Sequence, residues 1–222
     1  MPTTTSHNEY HSHLVLLGDS IFDNAIYVPG EPAVINHLQN IIPCDWRATL
    51  LAHDGDVTTN VAGQFSRLPD SATHLVISVG GNDALGAMAV FSLPATTVHD
   101  ALFSLAEIRK SFQQEYRAML QQALSHRLPL VVCTIYDAVP GLSETLQTAL
   151  AIFNDTITRE AAAFNLPVID LRHVCTEAED YSAISPIEPS AQGGGKIARA
   201  IHALFESHDF SSKGFTLYAN NR

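Results

Sequence analysis

Short continuous apolar runs punctuate the chain at regular intervals. Leu14 to Leu17 lie in "HLVLLGDS" and Leu75 to Val79 in "HLVISVGGND". Residues 128–137, "LPLVVCTIYD", and 166–171, "LPVIDL", are two more, and "WRATLLA" at 46–52 is a weaker fifth. Unbroken apolar runs of this length, without polar alternation, predict strands covered on both faces, as in a parallel sheet. The stretches between them change period. Residues 98–126 carry Leu102, Leu105, Ile108, Phe112, Tyr116, Met119, Leu120 and Ala123 at helical spacing, and 143–164 carry Leu146, Leu150, Phe153, Ile157 and Ala161. Ser190 is placed as the N-cap of a last helix through Ile197, Ile201, Leu204 and Phe205, and a shorter helix runs through Val61, Phe65 and Leu68. Strand and helix in strict alternation predict a doubly wound, three-layer α/β/α sandwich around a five-stranded parallel sheet. No internal repeat or linker interrupts residues 1–222, which read as one domain with its core from about 13 to 206 and loosely attached ends.

Composition narrows the partners. The chain is 46% hydrophobic and carries 12 Lys and Arg against 23 Asp and Glu, a formal charge of −11. That balance repels phosphate backbones and anionic membrane surfaces, and no basic cluster overrules it. Cys44, Cys133 and Cys175 are odd in number and unpaired in motif, and Cys133 sits in an apolar run as a small hydrophobe. His7, His11 and His13 cluster in the N-terminal segment without defined ligand geometry, so neither metal nor cofactor is expected. A start lacking a basic stretch ahead of an apolar run, and no segment long enough to span a bilayer, point to a cytoplasmic protein without membrane insertion.

In doubly wound sheets, ligands bind beyond the carboxyl ends of the strands. Three polar motifs fall there. "GDSIFDN", 18–24, puts Ser20 on the turn after a buried strand, where a hydroxyl nucleophile is presented beside backbone N–H groups. "SVGGND", 78–83, puts the Asn82 amide at the end of another, as a fixed donor to developing negative charge. "HDGDVTTN", 53–60, follows the weak strand, and Gly55 permits a tight turn with an unobstructed N–H. Each alone also reads as ordinary turn chemistry. No G-x-S-x-G, G-x-G-x-x-G or P-loop motif is present.

Together, in this order, these segments resemble the SGNH, or GDSL, hydrolases, a family of esterases and acylhydrolases, from residue 13 to about 206. The resemblance implies a flavodoxin-like fold, Ser20 as nucleophile, and Gly55 and Asn82 as oxyanion donors. The family's last block, normally Asp-x-x-His, is replaced by Ser185-Pro186-Ile187-Glu188, and no histidine lies between His173 and His202. Asp180 is a displaced carboxylate, and His53, near Gly55, is the one histidine placed near the rim.

Glu188 is the candidate replacement base. A glutamate starts about two pKa units below imidazole, a deficit of roughly 3 kcal/mol in proton affinity. Desolvation can restore it, and a carboxylate needs no third residue to set a tautomer. Pro189 holds Glu188 extended, although a first-turn acid on the helix dipole is the simpler use of such a residue. A neutral-to-acidic pH optimum fits a carboxylate base. The expectation is a serine esterase acting on a small ester, with the apolar stretch 84–100 bordering the pocket and favouring short acyl groups. Its alternatives are an acyltransferase using the same site and a catalytically silent binding protein.

Overall fold

The computed structural model describes residues 11–212 and 214–219. Its sheet is built from β1 (Ser12–Gly18), β2 (Trp46–Leu50), β3 (His74–Ser78), β4 (Leu130–Cys133), β5 (Pro167–Ile169) and β6 (Thr216–Tyr218). All pairings are parallel, in the order β2-β1-β3-β4-β5-β6. The helices are α1 (Val34–Ile41), α2 (Val61–Phe65), α3 (Gly81–Gly86), α4 (Val98–Ser125), α5 (Glu144–Ala163), α6 (Leu171–Val174) and α7 (Ala191–Ser207).

The inner strand β1 shows why its apolar run is unbroken. Leu14 and Leu16 pack with Val34 and Leu38 of α1 and Ile197 and Ile201 of α7. Val15 and Leu17 point the other way, into a core with Val61 of α2, Tyr116 and Leu120 of α4 and Ile157 of α5. All four strand residues are fully buried, which contributes about 1.5–3 kcal/mol each. Ser190 caps α7, its Oγ accepting the Gly193 N–H at 3.1 Å.

Two expectations change, and one helix was not expected. The sheet has six strands, because the segment expected to trail after residue 208 supplies β6 at the edge beside β5. Helix α1 carries no long apolar stripe, only Val34 and Leu38 buried among polar residues, and its period is too brief to be legible. Helix α4 has the predicted extent, but its buried residues begin at Phe112. Leu102, placed in the core by its spacing, is 59% exposed. A 28-residue helix is roughly 42 Å long, about twice the length of a seven-residue strand, so its N-terminal turns outrun the sheet.

His7 lies outside the described residues. His13 belongs to β1, buried, with its ring nitrogens bound to Ser71 Oγ at 2.9 Å and Thr49 Oγ1 at 2.7 Å. Among the described residues, no helix is long and apolar enough to cross a membrane.

Gly18 closes β1 and sets the direction of the Ser20 turn. Its φ is +125°, and a Cβ there would run into the carbonyl oxygen of Ser78 on β3. Gly18→Ala is therefore expected to destabilise the fold by on the order of 3 kcal/mol or more, read as a lowered urea midpoint.

Candidate active site

The carboxyl ends of β1, β3 and β4 open into a cleft of about 120 Å³. Ser20, Asn82 and Glu188 all line it. The sheet thus brings together residues separated by up to 168 positions in the chain.

Ser20 sits on the turn after Gly18 and is 5% exposed. Its neighbour Asp19 turns a carboxylate oxygen back onto the Ile21 N–H at 3.1 Å, and the Phe22 and Asp23 amides close onto the Asp19 carbonyl. The Ser20 N–H itself has no acceptor among the described residues. Complete burial pushes the Asp19 carboxyl up to about 8. At neutral pH it is an uncharged acid, and it adds no negative charge where an oxyanion would form.

Glu188 reaches the same cleft from a loop held on several sides. Its carbonyl accepts the Ser182 N–H at 2.8 Å, and its N–H bonds the Ser185 carbonyl at 3.0 Å. Tyr136 Oη donates to the Ile187 carbonyl at 2.6 Å, and Asn24 Nδ2 donates to the Pro189 carbonyl at 3.0 Å. Asn24, the last residue of the Ser20 motif, thereby ties the Ser20 loop to the Glu188 loop. Its Oδ1 accepts from the Val34 N–H at 3.0 Å, so the tie also reaches α1. Glu188 precedes the α7 N-cap by two residues and lines the cleft, so it is not a helix-dipole acid.

Burial raises the Glu188 carboxyl from 4.5 to about 7, with the Asp54 charge adding to the rise and a hydrogen bond from the Ser20 side chain opposing it. Ser20 is thus the polar neighbour of Glu188 across the cleft, and one carboxyl oxygen, Oε2, is buried without a hydrogen-bond partner among the described residues. An under-satisfied buried carboxyl of this kind is why desolvation dominates.

Asn82 stands in the first turn of α3 and donates Nδ2–H to the Asp56 carbonyl at 3.0 Å. An amide nitrogen carries two donors, so the second is left for the cleft. Next to Asp56, Gly55 holds φ +83° in an exposed turn, with its N–H unpaired among the described residues. It is joined to Asn82 through Asp56 but does not itself line the cleft. Asp83 fastens the two segments further, accepting from Thr58 N–H at 3.0 Å and Thr58 Oγ1 at 3.1 Å. The loop also reaches the Ser20 turn, through His53 N–H to the Gly18 carbonyl at 3.1 Å and Asp54 N–H to Asp23 Oδ2 at 3.0 Å.

Two candidates from the sequence stand elsewhere. The His53 side chain is 68% exposed, 3.7 Å from Asp56, and no histidine lines the cleft. Asp180 is buried against Lys196 Nζ at 2.7 Å, and despite desolvation its bonds to Lys196, Glu177 N–H and Gln192 hold its carboxyl low. It anchors α7. Among the described residues, no group of three or more His, Cys, Asp and Glu could hold a metal ion.

The far wall was not legible in the sequence. Leu85, Met88 and Phe91 come from the expected border segment, but Val139, Leu142, Leu146 and Ala149 face them. Leu146 belongs to the stripe that reads as core, yet the first turns of α5 border the cleft, Phe153 belongs to both cleft and core, and Ile157 fills the core.

A model of the GDSL-like lipase/acylhydrolase family matches residues 16–194. A search of functionally curated proteins finds none that matches. Among solved structures, a lipase from a goat-rumen metagenome aligns with a TM-score of 0.68 at 18% identity, over 91% of this chain and 98% of its own. An extracellular lipase of Streptomyces rimosus aligns at 0.61 and 21% identity, over 89% and 100% of the two chains. An acetyl xylan esterase of Geobacillus stearothermophilus aligns at 0.62 and 14%, over 88% and 94%. At such identities these likenesses concern the fold.

Proposed function

The chain belongs to the GDSL-like lipase/acylhydrolase family, a membership that supports ester hydrolysis in general, and from it we propose a serine esterase in which Glu188 takes the place of the histidine base. The observation that carries this reading is the meeting of Ser20 and a raised, desolvated Glu188 in one cleft. Ser20 Oγ attacks the ester carbonyl carbon as its proton passes to Glu188. The oxyanion is received by the Ser20 N–H and the free N–H of Asn82, while the Gly55 turn, outside the cleft, supports Asn82 through the Asp56 carbonyl. Collapse breaks the bond to the leaving alkoxide, which takes the proton back from Glu188 and leaves an acyl-enzyme. Water then attacks that ester, with Glu188 again accepting and returning one proton.

Ionised Glu188 is the working form, so activity rises with pH through about 7 and levels above it. Desolvation thus shifts the optimum upward from the neutral-to-acidic range expected of an ordinary carboxylate.

The apolar wall opposite Ser20 selects the acyl chain. Each buried methylene contributes about 0.8 kcal/mol, a factor of about four, so kcat/KM for p-nitrophenyl esters climbs from acetate to hexanoate. Ala149→Phe fills the far end of the wall and is expected to flatten that series while leaving acetate turnover near the native rate. A series that falls from acetate onward in the native enzyme overturns this assignment of the acyl side.

A further inference from the structure

The apolar lining of the cleft does not stop at its mouth. Leu85, Met88 and Phe91 line the cleft and are also exposed on the outside. Beyond them the surface continues through Leu93, Val98, Leu102 and Phe103, which are 58%, 77%, 59% and 60% exposed. The last three lie on the first turns of α4, the part of the helix that outruns the sheet. The segment after α3 packs beside it, since Ala87, Val90 and Phe91 share a small cavity with Leu105 and Ile108. Seven large apolar side chains from one 19-residue stretch, Leu85 to Phe103, therefore form an apron at the edge of the site. Contiguous exposed apolar surface of this kind marks a contact surface.

From this apron we propose that the protein docks peripherally, without insertion, on a lipid surface that carries no net negative charge, and draws its ester from that surface into the cleft. The proposal rests on the esterase reading for the fate of the ester, and docking itself stands apart from it. Two observations choose the occupant. The apron and the acyl wall share Leu85, Met88 and Phe91, so a protein partner seated there would close the cleft, whereas a lipid layer would feed it. From Gly81 to Lys110 the acids Asp83, Asp100 and Glu107 outnumber Arg109 and Lys110, which lie past the apron on α4, and the whole chain carries a formal charge of −11. An anionic leaflet attracts basic segments and repels such a face. Apolar side chains entering a headgroup boundary supply the attraction without charge.

Flotation with large unilamellar vesicles tests this directly, using phosphatidylcholine in one arm and phosphatidylglycerol in the other. The native protein and Ser20→Ala are expected to float with phosphatidylcholine alike, and more weakly with phosphatidylglycerol. The triple variant Val98→Gln, Leu102→Gln, Phe103→Gln replaces exposed side chains outside the cleft. It should keep native turnover of soluble p-nitrophenyl acetate and lose partitioning by about tenfold or more. Failure of the native protein to float, or flotation of the triple variant at the native level, overturns docking. A native dimer that the triple variant splits, with no flotation, assigns the apron to a second copy instead. Loss of esterase activity in a native protein that still floats overturns the catalytic reading alone.

Discussion

Ser20→Ala is expected to lose ester turnover by a factor on the order of 10⁴ or more and to lose fluorophosphonate labelling completely. Ser20 is 5% exposed and its side chain interacts with Glu188 alone among the described residues, so the fold has little reason to change. The circular dichroism and urea midpoint of the variant should match the native protein, with labelling by gel fluorescence as the readout. If the native protein neither labels nor turns over any p-nitrophenyl ester, the chain is a silent binding member of its family. Labelling with turnover only when an alcohol acceptor is supplied would make it an acyltransferase.

Glu188→Gln should separate catalysis from stability. Removing the base is expected to lower kcat by about 10²–10⁴ and to erase the rising limb near pH 7. A surviving limb of native amplitude would assign the base to another group. The stability effect has the opposite sign. Glu188 keeps its proton up to about 7 in the folded protein, against 4.5 when exposed. The folded state is thus favoured by its proton below about 4.5, and that advantage is lost as pH rises to about 7. The full span corresponds to about 3 kcal/mol as an upper bound. A glutamine never charges, so the variant should gain on the native protein by on the order of 2–3 kcal/mol in urea unfolding between pH 4.5 and pH 8. A constant difference across that range would show Glu188 to be ordinarily solvated. Under the proposed mechanism, the burial that resists the charge of Glu188 is also what raises its proton affinity.

The legible parts of the molecule were those where one physical demand acts alone. Leu14 to Leu17 must satisfy two apolar layers, so the run is continuous, and β1 can be read from it. Ser20 and Asn82 follow such runs directly and fall at the rim by topology. Gly55 could be placed beside them only by resemblance, and it stands at the edge of the cleft, reaching it through Asp56 and Asn82. Leu102 and Leu146 share the spacing of true core residues, yet one lies beyond the sheet and the other on the cleft. Helical period reports a face and says nothing about what covers it. Asn24 gave no signal at all, because its role depends on a carbonyl 165 residues away. The short α1 and β6 lacked length rather than pattern.

The order β2-β1-β3-β4-β5-β6 also dictates how the chain can be assembled. The first strand synthesised becomes an inner one, β2 joins one flank, and β3, β4, β5 and β6 then add to the other in the order they leave the ribosome. No strand has to be threaded between two already paired. Each emerging βα unit finds a finished template, with its exposed edge soon covered by the next. The Ser20 turn follows the first strand made and is fastened when the Ser78 carbonyl of β3 accepts the Asp19 N–H, and the Glu188 loop arrives after β5 is in place. Ser20 and Glu188 thus meet late, on a five-stranded sheet already laid down, with the covering helix α7 and the edge strand β6 still to follow.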